Sequence, residues 1–113
     1  MINKENFRNN FQYFDKSVVL QVLDIFLSEY QDRFNELEKN VSELDFKAID
    51  NNAHSFKSNV AYMSEELHEL ARILEFKGKE QDSSDLRESF DNLKSATLLI
   101  IDDVIELRKE YGG

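Results

Sequence analysis

The sequence predicts an all-α protein, an up-down-up-down four-helix bundle with a short additional N-terminal helix. Proline is absent and the three glycines are Gly78, Gly112 and Gly113, so nothing from Met1 to Lys77 forces the backbone out of helical geometry. Apolar residues recur at steps of three and four through four successive segments, and with short connections such stripes can hide only against one another. A chain of 113 residues, 41% of them hydrophobic, can bury one core and is too short for a second, so residues 1–113 read as one domain. Four stripes in one chain satisfy themselves, which favours a monomer over a coiled-coil oligomer.

The N-terminal helix is expected over roughly residues 4 to 13, with Phe7, Phe11 and Phe14 packing across the end of the bundle. Between about residues 15 and 44, Val19, Leu23, Phe26, Tyr30, Phe34, Leu37, Val41 and Leu44 form one face of a long helix. Asp45 is the expected N-cap of the next helix, whose stripe is Phe46, Ile49, Ala53, Phe56, Val60 and Met63. Ser64 caps a third, with Glu65 and Glu66 at its positive end and a stripe of Met63, Leu67, Leu70 and Leu74. The segment Lys77-Gly78-Lys79-Glu80-Gln81-Asp82 reads as the one clear loop, with Gly78 in the left-handed capping conformation. Ser83 or Ser84 then caps the last helix, which carries Leu86, Phe90, Leu93, Thr97, Ile100, Val104, Leu107 and Tyr111 on one face. Met1 and a frayed Tyr111-Gly112-Gly113 end suit a free-standing unit.

Composition removes several function classes. Without cysteine there is no disulfide, thiol nucleophile or thiolate metal ligand. Nucleic acid is excluded as a partner because the 14 basic residues are scattered among 23 acids, for a net charge of -9. No signal-like N-terminus or membrane-spanning run is present, so a cytoplasmic location with no membrane partner is expected.

The chemistry concentrates on the second bundle helix. At about 100° per residue, a position one step after a core residue lies a quarter turn from the buried stripe. His54 follows Ala53 and Lys57 follows Phe56, so both point outward, beside Lys47, Asp50, Ser58 and Ala61. Ser58 and Ala61 are small and leave room for a docking protein surface. Neutral imidazole keeps a nucleophilic lone pair, and catalysis of phosphoryl transfer is mostly positioning and charge stabilisation. Lys57 is expected to supply such charge, its stem lying along the bundle and its head in water. By contrast, His68 reads as a solvated helix histidine, and no third and fourth ligands accompany the two histidines to make a metal site. The aromatic-rich first half reads as core packing.

The run Ala53-His54-Ser55-Phe56-Lys57-Ser58-Asn59, continued by Tyr62-Met63-Ser64-Glu65-Glu66-Leu67-His68-Glu69-Leu70-Ala71, resembles the signature of histidine-containing phosphotransfer (HPt) domains. The helix order is similar over nearly the whole chain. The resemblance implies a bundle that shuttles phosphate between aspartates of receiver domains, with His54 carrying the phosphoryl group and Lys57 assisting. The implied partners are the receiver domain of a hybrid sensor kinase and a response regulator, reached over Lys47, Asp50, Ser58 and Ala61. Three departures stand out. Ser58 and Ser64 occupy positions where the family usually has glycine, and Leu74-Glu75-Phe76-Lys77 stands where a polar residue, often glutamine, approaches the ring. The expected activity is that of a phosphocarrier with no cofactor and no ATP site of its own, since no glycine-rich phosphate loop is present. The alternative is a non-transferring module of the same fold that docks on a receiver or another helical partner.

Overall fold

The computed structural model describes residues 2–112, so Met1 and Gly113 lie outside the described residues. Five helices follow one another: α1 Lys4–Asn10, α2 Lys16–Glu43, α3 Phe46–Val60, α4 Glu65–Lys79 and α5 Leu86–Gly112. Packing runs in a ring, α2 on α3, α3 on α4, α4 on α5 and α5 on α2. This is the expected four-helix bundle with an additional N-terminal helix.

The two long helices, of 28 and 27 residues, each reach about 40 Å at 1.5 Å per residue, whereas the 15-residue α3 and α4 reach about 22 Å. The shortfall is filled by α1. Phe7 and Phe11 are buried, with the Phe7 ring 6.0 Å from Tyr111 and Phe11 5.8 Å from Tyr62. Lys4 pairs with Glu106 and Arg8 with Glu110, tying α1 to the last turns of α5. The C-terminal end is therefore not frayed at Tyr111 and Gly112, because α5 stays helical against α1. Helix α1 stops at Asn10, earlier than expected, and Phe11–Phe14 form a turn closed by the Phe14 amide donating to the Phe11 carbonyl.

Both interior caps form as expected. The Asp45 carboxylate accepts from the Ala48 amide at 3.2 Å and the Ser64 hydroxyl from the Leu67 amide at 3.2 Å, each satisfying an amide the helix cannot. Leu44 differs from expectation. It is exposed, with φ at 54°, because it is the left-handed residue that ends α2 rather than a member of its stripe.

The α4–α5 connection also differs. Gly78 is buried inside α4, and the left-handed residues are Gln81 and Asp85. Gly78 is needed for proximity: a Cβ there would lie 2.6 Å from the Asp50 amide nitrogen and 2.9 Å from the Phe46 carbonyl oxygen. Neither Ser83 nor Ser84 caps α5. The first backbone bond of that helix runs from the Ser89 amide to the Asp85 carbonyl, while the Ser84 amide donates to the Asp82 carboxylate at 2.9 Å. No described helix is long and apolar enough to cross a membrane.

Candidate functional site

Helix α3 has one rotational setting that buries its apolar face. Ile49, Ala53, Phe56 and Val60 are all inaccessible, and the Phe56 ring sits 5.2 Å from Phe34 and 6.3 Å from Phe26 in the centre of the bundle. Fully burying one such side chain is worth about 1.5–3 kcal/mol, so turning α3 by a quarter turn would forfeit several kcal/mol. The same setting puts His54 outside, its side chain 61% exposed.

Across the α3–α4 interface the carboxylate of Glu75 receives both functional side chains. It lies 2.6 Å from His54 Nδ1 through Oε2 and 2.7 Å from Lys57 Nζ through Oε1, and its own side chain is only 5% exposed. Lys79 Nζ stands 3.8 Å away on the same helix. Burial pushes this carboxyl up, but hydrogen bonds from Lys57 and His54 and the charges of Lys57 and Lys79 outweigh it and hold the pKa below 4.5. An ionised acceptor keeps a proton on Nδ1, which leaves Nε2 with the lone pair.

Lys57 is therefore not a head held in water. Its side chain is 23% exposed and its ammonium is bound to a buried carboxylate, because α4 brings Glu75 within reach of the strip that α3 alone leaves in solvent. Ser58 and Ala61 are exposed, Asp50 is partly exposed and Lys47 is exposed near the start of α3, about 10 Å along the axis from His54. The Ser58 hydroxyl donates back to the His54 carbonyl at 3.2 Å. His68 is partly buried, fourteen residues further along the chain, and is absent from this cluster.

Two features of the surroundings escaped the sequence reading. Glu75 is one of 23 acids, and the only signal was its position in the stretch where the HPt resemblance expects a polar residue. Beside Ser58, a groove of about 250 Å³ is lined by Phe11, Phe14, Val22, Ile25, Phe26 and Tyr62. Phe14, Ile25 and Tyr62 are large side chains left exposed there.

The Hpt domain family profile matches residues 21–110. No curated protein matches the sequence. Among solved structures, the crystal structure of histidine-containing phosphotransfer protein B (HptB) from Pseudomonas aeruginosa PAO1 is similar, with a TM-score of 0.84 and 16% identity over 97% of this chain and 96% of that one. That likeness bears out the bundle fold. The family match covers most of the sequence, with α3 and α4 entire and most of α2 and α5, and the chain belongs to the Hpt domain family.

Proposed function

We propose that the protein is a phosphocarrier of a two-component phosphorelay, taking a phosphoryl group onto His54 from a receiver-domain aspartate of a hybrid sensor kinase and passing it to a response regulator. The observation that carries this reading is the exposed His54 ring whose Nδ1 is engaged by the buried Glu75 carboxylate. With Nδ1 occupied, Nε2 is the nitrogen available to phosphorus in a docked partner. Lys57 spends one of its three protons on Glu75 and keeps two for phosphoryl oxygens. The partner supplies the metal ion and the aspartate, and this chain supplies the nucleophile, its tautomer and one cation.

Docking takes place over the outward face of α3, where Ser58 and Ala61 let another surface approach, with Lys47 and Asp50 toward the start of the helix. Phe14, Ile25 and Tyr62 extend that face with apolar area. The test is incubation with a phosphorylated receiver domain, scored for acid-labile phosphate on this chain. His54→Gln should fold normally and take up none. Phosphate retained by that variant, for instance on His68, overturns the assignment, and tight receiver binding without phosphate uptake by the unmutated protein establishes a docking module instead.

A further inference from the structure

A glutamine amide could orient His54, but a buried carboxylate does something more, because phosphorylation changes the charge of the ring. In the accepting step the Nε2 lone pair attacks phosphorus, and the bond from phosphorus to the donor aspartate oxygen breaks with its electron pair leaving on that carboxylate. The ring still carries its Nδ1 proton, so it becomes an imidazolium. In the onward step an aspartate oxygen of the acceptor attacks phosphorus and the phosphorus–nitrogen pair returns to Nε2, so the ring departs as neutral imidazole. Loss of the Nδ1 proton in between would make the leaving group an imidazolate anion, which is far poorer. This is why phosphohistidine is labile in acid and persistent in base.

We propose that Glu75 is a positioning residue for the phosphorylated state, holding the Nδ1 proton of His54 so that the phosphorus–nitrogen bond stays labile at a pH where phosphohistidine in an unfolded chain has become persistent. The inference rests on His54 being the phosphoryl acceptor and adds what becomes of the group once bound. Three observations support it. The Glu75 oxygen is 2.6 Å from Nδ1, close enough for a charge-assisted bond. The carboxylate is buried, so its interaction with a positive ring is screened less than that of a surface acid. Its second oxygen is tied to Lys57 at 2.7 Å, which keeps the group ionised and fixed in place.

The surrounding charges do not replace it. Within one helical turn of the pair stand Asp50 and Lys57 on α3, and Arg72, Lys77 and Lys79 on α4, of which Lys77 donates to the Ser84 carbonyl. Arg72 is engaged by Glu69. On the other flank of α3, the α2 residues Glu29, Asp32, Arg33 and Glu36 line a groove beside Asn52, away from the ring. Glu75 is the acid in direct contact with Nδ1.

The experiment phosphorylates the full chain with phosphoramidate, confirms phosphate on His54 by phosphorus NMR, and follows its loss between roughly pH 5 and 9. An opposite charge in contact shifts a titration by about 1–3 units. The unmutated protein should therefore stay labile to a pH about 1–3 units above the limit for Glu75→Gln, and at about pH 8 it should lose phosphate some tenfold faster or more. Coincident pH profiles in two folded proteins overturn the inference. Because Glu75→Gln also weakens the Lys57 contact, nitrogen NMR of the unmutated phosphoprotein gives a second readout. The Nδ1 titration should lie at least about 1 unit higher in the folded chain than in the same chain unfolded in urea, and equal midpoints overturn the inference without any variant. Failure of His54 to accept phosphate from phosphoramidate or from a receiver overturns the phosphocarrier reading itself.

Discussion

Gly78 on α4 lies against the backbone of Asp50 on α3 so closely that one added carbon would meet the Asp50 amide nitrogen at 2.6 Å. Glu75 is one turn earlier on the same helix, so the α3–α4 spacing set at Gly78 is also the spacing across which the carboxylate reaches His54. In an ordinary helix interior Gly→Ala stabilises by about 0.5–1 kcal/mol. Here backbone atoms must move apart, and overpacking of that kind costs about 1–3 kcal/mol. Gly78→Ala should therefore lower the thermal midpoint by several degrees and slow transfer to His54 as well. A raised midpoint would show that α4 shifts freely.

Lys57 is expected to matter to stability as well as to transfer. Truncation to Ala leaves a 5% exposed carboxylate with His54 and a more distant Lys79 as its partners. Hydrogen bonds to charged groups are worth about 1.5–3 kcal/mol, so Lys57→Ala should destabilise by about 1–2 kcal/mol, more than the ±0.5 kcal/mol usual at surface sites. If the same interaction supports the phosphoryl group in the transition state, phosphorylation slows by roughly ten- to a hundredfold. Urea denaturation and single-turnover transfer measured on Lys57→Ala, Glu75→Gln and the double variant separate the two effects. A double variant no less stable than Glu75→Gln would assign the stability of Lys57 to its pairing with Glu75.

Acid should weaken the bundle through Glu75. Its carboxyl is held below 4.5 in the folded protein, where two hydrogen bonds and two ammonium charges outweigh the effect of burial. A group whose folded pKa is depressed stabilises above its unfolded pKa and loses that contribution as pH falls through its folded pKa. The stability difference between the unmutated protein and Glu75→Gln should thus be largest near neutrality and shrink below about pH 4.5. Urea midpoints of both proteins at neutral pH and near pH 3.5 check the sign, and a difference that does not change with pH would remove the carboxylate charge as its source.

Access to the ring should depend on the small side chains beside it. Ser58→Trp or Ala61→Trp places a bulky group on an exposed position, so helical content should be unchanged while transfer from a receiver is blocked. Transfer at the normal rate by Ser58→Trp would show that the partner does not approach over this face. Tyr62→Ala and Ile25→Ala instead remove exposed apolar area beside the groove. Their expected effect is weaker receiver binding with phosphoramidate labelling of His54 preserved.

The interior caps and the apolar stripes were legible in the amino-acid sequence. The caps at Asp45 and Ser64 act within one turn of their own helix, and the apolar spacing that buries Ala53 and Phe56 turns His54 outward by the same geometry. Local signals fell short at the end of α1 and at the start of α5, and the larger differences come from tertiary packing. Gly78 looked like a loop residue because a glycine beside lysines suits a helix C-terminus, whereas the close approach of α3 keeps it in α4. Leu44 matched the spacing of α2, and the tight turn into α3 put it in the left-handed conformation and into solvent. Glu75 is the clearest case. Its meeting with His54 spans 21 residues of chain, and no local pattern marks which acid will be buried. The bundle decided that, because the register of α4 on α3 brings one carboxylate under one imidazole and one ammonium, and their contacts compensate its desolvation.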